Sequence, residues 1–230
     1  MSEISANLNN IKEKISSICA KIGRDPSEIS IVGVIKNVEE SRVLEGLSAG
    51  LEIIGENKVQ EAVSRIPRIR QKFPHISVHM LGHLQTNKIN QALPLFDLFQ
   101  SVDSVDLADA INKRSSTLID IFLEVNTSFE QSKFGFSPED IFAAVDSIQK
   151  MENLQISGLM TIGPLTDDRV VTRKSFALLR TIREKLNDRG YKKIQKLSMG
   201  MSSDYDMAIE EGSDIIRIGR AIFGDRNPKQ

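Results

Sequence analysis

Lys36 closes the apolar run Ile31-Val32-Gly33-Val34-Ile35, where an amine leaving the C-terminal edge of a buried strand is partly withdrawn from water. An amine without its proton attacks an aldehyde to form a Schiff base, so a lysine there suits a carbonyl cofactor or a carbonyl substrate. The same position also suits a strand-end lysine whose stem packs while its amine reaches water. The far end of the chain favours the first alternative. There Leu197-Ser198-Met199-Gly200-Met201-Ser202-Ser203-Asp204 runs from a short apolar strand into a predicted helix, Asp204 to Glu211, ended by Gly212. Ser202, Ser203 and Asp204 are all N-cap residue types. Gly200 ahead of a helix start leaves amide donors pointing outward with the positive end of the helix dipole behind them, an arrangement that binds phosphate. The next strand carries Arg217 and finishes at Gly219-Arg220. Two successive glycine-bearing strand ends match the phosphate site that barrels build after their seventh and eighth strands, although ordinary helix capping uses the same residues.

These residues need elements to hold them. Strand-like apolar runs alternate with amphipathic helices along the whole chain, which argues for parallel α/β construction. After an opening helix, strands are predicted at Ser30 to Ile35, Leu51 to Ile54, Ser77 to Leu81, Leu95 to Ser101, Ile119 to Val125, Gln155 to Met160, Ile194 to Leu197 and Asp214 to Ile218. Helices are predicted at about Val38 to Ala49, Asn57 to Phe73, Thr86 to Leu93, Val105 to Ser116, Pro138 to Met151, Asp168 to Asp188 and Asp204 to Glu211, the second of these kinked or broken near Ile66 by Pro67. Such a chain predicts a closed (β/α)8 TIM barrel in one domain spanning 1–230; an open doubly wound sheet shares the alternation but normally binds phosphate after its first strand.

In a barrel, everything that follows a strand converges on one face. That face gathers Lys36-Asn37, Gly55-Glu56-Asn57, Gly82-His83, Ser101-Val102-Asp103, Asn126-Thr127, Thr161-Ile162-Gly163, Ser198-Met199-Gly200 and Arg217 to Arg220, a set that suits a phosphorylated aldehyde held covalently. Arg217 discriminates further. An arginine facing the ring nitrogen of pyridoxal phosphate disfavours the pyridinium and makes the ring a weaker electron sink. The alternative is that Arg217 pairs with Asp214 or Glu211 nearby.

Composition excludes other classes. The chain of 230 residues is 40% hydrophobic and 27% charged with a net charge of -1, which gives no electrostatic case for nucleic acid or an anionic membrane. No run approaches membrane-spanning length and no signal peptide is recognisable, so a cytoplasmic protein is expected. Cys19 is the only cysteine and falls on the apolar face of the opening helix. His75, His79 and His83 are four apart, but Pro74 and Gly82 place them on a strand and its flanks rather than a helix, and no metal site is expected. The polar loop from Asn126 to Phe136 is expected to be mobile, solvated surface.

The ordered motifs Val34-Ile35-Lys36, Ile54 to Glu61, His79 to Lys88, Ser101 to Ser104, Gly158 to Gly163, Ser198 to Asp204 and Arg217 to Gly224 resemble the pyridoxal-phosphate homeostasis protein family, a relative of the barrel domain of alanine racemases. The resemblance implies an alanine racemase N-terminal-domain-like barrel that binds pyridoxal 5'-phosphate and stores, buffers or delivers it. It implies that Lys36 carries the Schiff base and that Asn57 lies beside the ring. It further implies that Met201 and Ser202, after Gly200, hold the phosphate with Gly219 and Arg220, and that Arg217 faces the ring nitrogen. The chain departs from the family pattern at Ile35 and Asn37, where a small hydroxyl residue and a threonine are usual, at Val78 in place of tryptophan, and at Arg220, often threonine.

Alanine racemases add a C-terminal β domain whose tyrosine is the second base. This chain ends at Gln230 just after its eighth strand, and Tyr191 and Tyr205 are poorly placed as substitutes, so two-base racemisation is expected to be lost and a monomer is expected. The expected partners are the small-molecule cofactor and pyridoxal-phosphate-dependent apo-enzymes as acceptors. Two other readings stay open: a pyridoxal-phosphate-dependent racemase or lyase with Lys36 as base and His83 assisting, and a sugar-phosphate barrel in which Lys36 forms an imine with its substrate.

Overall fold

The structure is a computed structural model and describes residues 2–224. Eight parallel strands close into a barrel in sequence order: β1 (Ser30–Val34), β2 (Ile53–Glu56), β3 (Ser77–Met80), β4 (Leu98–Val102), β5 (Ile119–Glu124), β6 (Leu154–Met160), β7 (Lys196–Ser198) and β8 (Ile215–Ile218). Closure is made by β8 pairing back onto β1, Ser30 opposite Ile215 and Gly33 opposite Ile218, which rules out the open sheet. The helices are α1 (Glu3–Ile22), α2 (Glu40–Ser48), α3 (Val59–Lys72), α4 (Ile89–Ala92), α5 (Val105–Arg114), α6 (Ile141–Ile148), α7 (Arg169–Asp188), α8 (Tyr205–Glu210) and α9 (Arg220–Phe223).

The strands read as near-continuous apolar runs because both of their faces are covered. Outward residues such as Ile54, Val78, Phe99, Leu123, Leu197 and Ile216 join the large core beneath the helices. Inward residues Val32, Leu81, Leu98, Phe122, Met160 and Ile215 pack as a separate cluster inside the barrel. Side chains alternate along a strand, so His79, Gln100, Glu124 and Arg217 share that inward face, each two residues from a member of the cluster. All four are buried.

Most predicted elements lie within three residues of the observed ones, and the differences have local causes. β2 starts at Ile53 rather than Leu51, because Leu51 folds over Gly33 from outside. The predicted helix from Thr86 splits into a 3-10 turn at Thr86–Lys88 and the single turn of α4. Pro67 does not break α3, which runs unbroken from Val59 to Lys72. Proline deprives the Val63 carbonyl of its usual donor at a residue that is 45% exposed, on the solvent side of the helix. Among the described residues, no helix is long and apolar enough to cross a membrane.

Helix α1 stands outside the βα repeat and packs against α2, α8 and α9 through a stripe of Ile4, Leu8, Ile11, Ile15, Ile18 and Cys19. Ser2 caps it by accepting the Ser5 N–H, and Gly23 ends it in the left-handed conformation at φ 69. Leu8 is fully buried, so Leu8→Ala is expected to cost about 3 kcal/mol of stability, read as a lowered midpoint in urea unfolding.

Candidate cofactor site

Lys36 is half-buried in the turn that leaves β1, two residues beyond Val34 of the inward cluster, while Ile35 is fully buried on the outer side. The Val38 N–H donates to the Ile35 carbonyl at 3.0 Å, closing a four-residue turn with Lys36 and Asn37 at its centre. Asn37 has φ 57, a left-handed conformation that asparagine tolerates better than most residues, which accounts for the asparagine after the lysine. Arg65 of α3 clamps the turn at both ends, donating to the carbonyls of Ile35 at 2.9 Å and Val38 at 2.8 Å. The same guanidinium pairs at 3.1 Å with Glu56, whose side chain is fully buried. Burial pushes the Glu56 carboxyl up to about 7, with Arg65 drawing it back down. Glu56 also accepts the Asn57 N–H at 3.2 Å, so one ion pair holds the lysine turn and the start of the next loop together.

Asn57 is half-buried, and its Oδ1 is buried with no hydrogen-bond partner among the described residues. A buried acceptor left without a donor costs about 1–3 kcal/mol and marks a place for a ligand. Gly82 allows this arrangement: a Cβ there would fall 2.2 Å from the Asn57 carbonyl oxygen, and Ser101 Oγ donates to the Gly82 carbonyl at 2.6 Å.

Arg217 is buried and points into the barrel, its Nη1 donating to Ser198 Oγ and its Nη2 to the Thr161 carbonyl, each at 2.7 Å. Asp214 and Glu211 are engaged elsewhere, Asp214 by Arg24 at 3.2 Å and Glu211 by Arg173 at 2.9 Å and Arg180 at 2.8 Å. The alternative that Arg217 pairs with either acid therefore does not hold. Burial draws the guanidinium down to about 10, with Glu124 and Asp204 pushing it back up. Glu124 is itself pushed up to about 7 by burial, with Arg217 lowering it.

The two glycine-bearing loops meet beside this arginine. Gly200 has φ 93, and a Cβ there would fall 2.5 Å from that of Ala208, so glycine is required. Its carbonyl accepts the Arg217 N–H at 3.0 Å, and Ser202 Oγ accepts the Ala221 N–H at 3.4 Å, which ties the two loops to each other. Asp204 takes the Met201 N–H at 2.6 Å. Gly219 lies against Val34, two residues before Lys36, and Arg220 is exposed on the rim. Helix α9 is held from behind, Asn7 donating to the Ile222 carbonyl at 3.1 Å and Arg42 to the Phe223 carbonyl at 2.7 Å. Beside the loops runs a groove of about 870 Å³, bordered by Lys133, Asp167, Arg169, Met201, Asp204 and Arg220; Lys36, Asn57 and Arg217 do not line it.

The Asn126 to Phe136 loop is tied down rather than loose. Asn126 Nδ2 donates to the Glu130 carbonyl at 2.8 Å, Lys133 reaches Glu130 and the Gly163 carbonyl, both at 2.7 Å, and the Phe136 N–H returns to the Glu124 carbonyl at 2.8 Å. Phe134 stacks on His83 at 4.3 Å between ring centroids, and Asp103 Oδ2 lies 2.8 Å from His83 Nδ1. His79 points into the barrel and His75 is exposed, so the three histidines share no ligand geometry. Tyr191 is held by Asp146, and Tyr205 is buried among the core residues under α1 with Lys14 over its ring at 4.8 Å.

Lys36, Asn57, Gly200, Met201, Ser202, Arg217, Gly219 and Arg220 thus lie at the C-terminal end of one barrel. Sequence reasoning placed Glu56 and Thr161 at the mouth without their partners, and missed Arg65 and the inward polar residues Gln100 and Glu124. The available signal was register: a polar residue two positions from an inward apolar one within a buried strand.

Fold and site together define a racemase-type barrel, and the family model for the alanine racemase N-terminal domain matches residues 6–227. Within that class, the chain belongs to the pyridoxal phosphate homeostasis protein family. It is 34% identical to the pyridoxal phosphate homeostasis protein of Aquifex aeolicus over 222 residues, 95% of this chain and 96% of the relative. A structure of PipY from Synechococcus elongatus with pyridoxal phosphate bound is 32% identical and superposes with a TM-score of 0.81, covering 93% of this chain and 100% of that one. The alanine racemase of Clostridium difficile, 18% identical, shares the fold at a TM-score of 0.76, covering 100% of this chain and 57% of that one.

Glu56 and Glu124 both hold a proton more tightly folded than unfolded, so their contribution to stability is in place at acid pH and is lost as pH rises from about 4.5 towards about 7. Urea unfolding of Glu124→Gln at pH 5 and pH 8 is expected to show a loss of stability smaller than wild type's by about 1–3 kcal/mol. An identical pH dependence in both proteins would refute the assignment.

Proposed function

We propose that the protein binds pyridoxal 5'-phosphate reversibly and serves intracellular homeostasis of that cofactor by storing, buffering or delivering it, with Lys36 as the Schiff-base lysine. The observation that carries this reading is the convergence of a half-buried lysine leaving β1, an orphaned Asn57 Oδ1 and a buried arginine free of Asp214 and Glu211 at one end of the barrel. When bound, the cofactor supplies an aldehyde for a reversible bond and a ring that withdraws electrons. Arg65 and Glu56 fix the turn from which the Lys36 amine approaches. Asn57 offers its unpaired amide oxygen to the ligand edge. Ser202, Gly219 and Arg220 would contribute donors to the phosphate; the Met201 N–H, expected to join them, is taken by Asp204 at 2.6 Å, so Met201 and Gly200 would shape the loop instead. Arg217 would hold the ring end of the cofactor as a cation, which would disfavour protonation of the ring nitrogen and suit holding over turnover. Neither tyrosine is available at the mouth as a second base, Tyr191 being tied to Asp146 and Tyr205 packed in the core. The related PipY structure holding pyridoxal phosphate supports the same reading. The protein acts as a cytoplasmic monomer whose acceptors are pyridoxal-phosphate-dependent apo-enzymes.

A second reading, a racemase or lyase with Lys36 as base, is favoured by one feature, the His83 imidazole oriented by Asp103.

The purified protein is expected to take up pyridoxal phosphate with a visible absorption band, and borohydride is expected to fix the cofactor mass onto the peptide containing Lys36, with Lys36→Ala showing neither. A protein that stays colourless with added cofactor would overturn the proposal and favour an imine with a sugar phosphate instead. Turnover of a small amino acid at about 1 per second or faster would favour the second reading.

A further inference from the structure

The contacts of Arg217 continue across the barrel. Ser198 Oγ, which accepts from Arg217, lies 2.6 Å from Gln100 Oε1. Gln100 Nε2 is 2.7 Å from His79 Nδ1, and His79 Nε2 is 3.1 Å from Ser77 Oγ. His79, Gln100, Ser198 and Arg217 are all buried, so each hydrogen has to find an acceptor inside the protein.

The proton inventory gives this relay a direction. Arginine only donates, so Ser198 accepts from Arg217 and passes its single hydrogen to Gln100 Oε1. Gln100 then turns its N–H towards His79, whose Nδ1 must be bare, and the hydrogen on Nε2 goes to Ser77. Reversing the Gln100 amide would leave the Ser198 hydrogen without an acceptor among the described residues and would aim the positive end of the amide at a buried cation. Each bond in the favoured arrangement has its acceptor on the side away from Arg217 and its donor on the side towards it. The electron-rich atom nearest each donor is thereby polarised in series, and aligned hydrogen bonds of this kind strengthen one another.

Burial holds His79 neutral, bringing it down to about 4, with the Asp97 carboxylate pushing it back up. Asp97 is occupied outside the barrel, accepting the Val78 N–H at 2.7 Å and pairing with Arg70 at 2.8 Å. Among the described residues, the other buried ionisable groups on the inward strand faces are Arg217 and Glu124, with Lys36 at the end of β1.

We propose that Gln100 and His79 are positioning residues that act through Ser198 to hold the Arg217 guanidinium charged and in place, and thereby set how firmly the protein grips the ring end of its cofactor. This rests on the reading of Arg217 as the ring-facing residue. The relay itself is a property of the protein without ligand, so the two can be tested apart.

Long-range proton–nitrogen NMR on the ligand-free protein, with the His79 signals assigned by their loss in His79→Asn, is expected to show neutral imidazole with the hydrogen on Nε2 from pH 5.5 to pH 8. A hydrogen on Nδ1, or an imidazolium at pH 7, overturns the relay. Titration with pyridoxal phosphate then reads its consequence. His79→Asn places an amide oxygen where Nδ1 accepted and is expected to keep affinity within about twofold of wild type, whereas His79→Leu and Gln100→Leu are expected to weaken it about tenfold. The two leucine variants should also shift the pH at which the bound chromophore changes colour. If His79→Asn and His79→Leu bind alike while both keep the wild-type melting midpoint, the two residues only fill space and the proposal falls. A wild-type protein that takes up no pyridoxal phosphate overturns the functional reading, and the positioning role with it, whatever tautomer the NMR records.

Discussion

A guanidinium enclosed in a barrel is the constraint around which the interior is arranged. Moving a cation out of water costs several kcal/mol even after relaxation, and the protein has to return that through acceptors of fixed geometry. Arg217 finds them in Ser198 Oγ and the Thr161 carbonyl, both on neighbouring strand ends. Thr161 is in turn fixed through its own hydroxyl, 2.8 Å from Thr127 Oγ1, which sits 2.7 Å from Ser175 Oγ of α7. Apolar and polar residues consequently share the interior: Gln100, Glu124 and Arg217 each follow an apolar residue of their own strand towards the mouth, while His79 lies level with Leu98 and Glu124 level with Met160.

Catalytic and binding loops need a rigid frame, and here the frame is supplied from outside the barrel. Arg65 and Glu56 lock the Lys36 turn to α3 and to the Asn57 loop, so the backbones of the two segments are held to one another. On the opposite side, α1 and α2 take the last carbonyls of α9 through Asn7 and Arg42. Those carbonyls would otherwise have no partner at a helix end. The extra N-terminal helix, which the βα repeat does not require, thus steadies the segment that begins at Gly219.

How far the site could be read in advance depended on whether a residue's meaning was local. Lys36 at a strand end, Gly200 before a helix and Gly219 after the last strand carry their meaning in neighbouring residues, because strand ends and caps are set by backbone geometry over a few positions. Of the kink or break that the same local logic expected at Pro67, the break does not occur. The cost of the proline depends on whether the Val63 carbonyl meets water or protein, and only packing decides that. The loop from Asn126 to Phe136 looked free because its composition is polar, yet its anchors, Gly163 and His83, come from other barrel loops.

The sequence by itself determined the alternation of strands and helices, and therefore the parallel barrel and the end at which its chemistry gathers. It also determined which residue types reach that end, since a period of two and a glycine at a strand exit are properties of consecutive residues. Only the tertiary structure decided the partners. His79, Gln100, Ser198 and Arg217 come from β3, β4, β7 and β8, and nothing in their spacing links them. Closure of the sheet turns their side chains towards one axis, and desolvation there compels each polar atom to pair with whichever strand lies within reach.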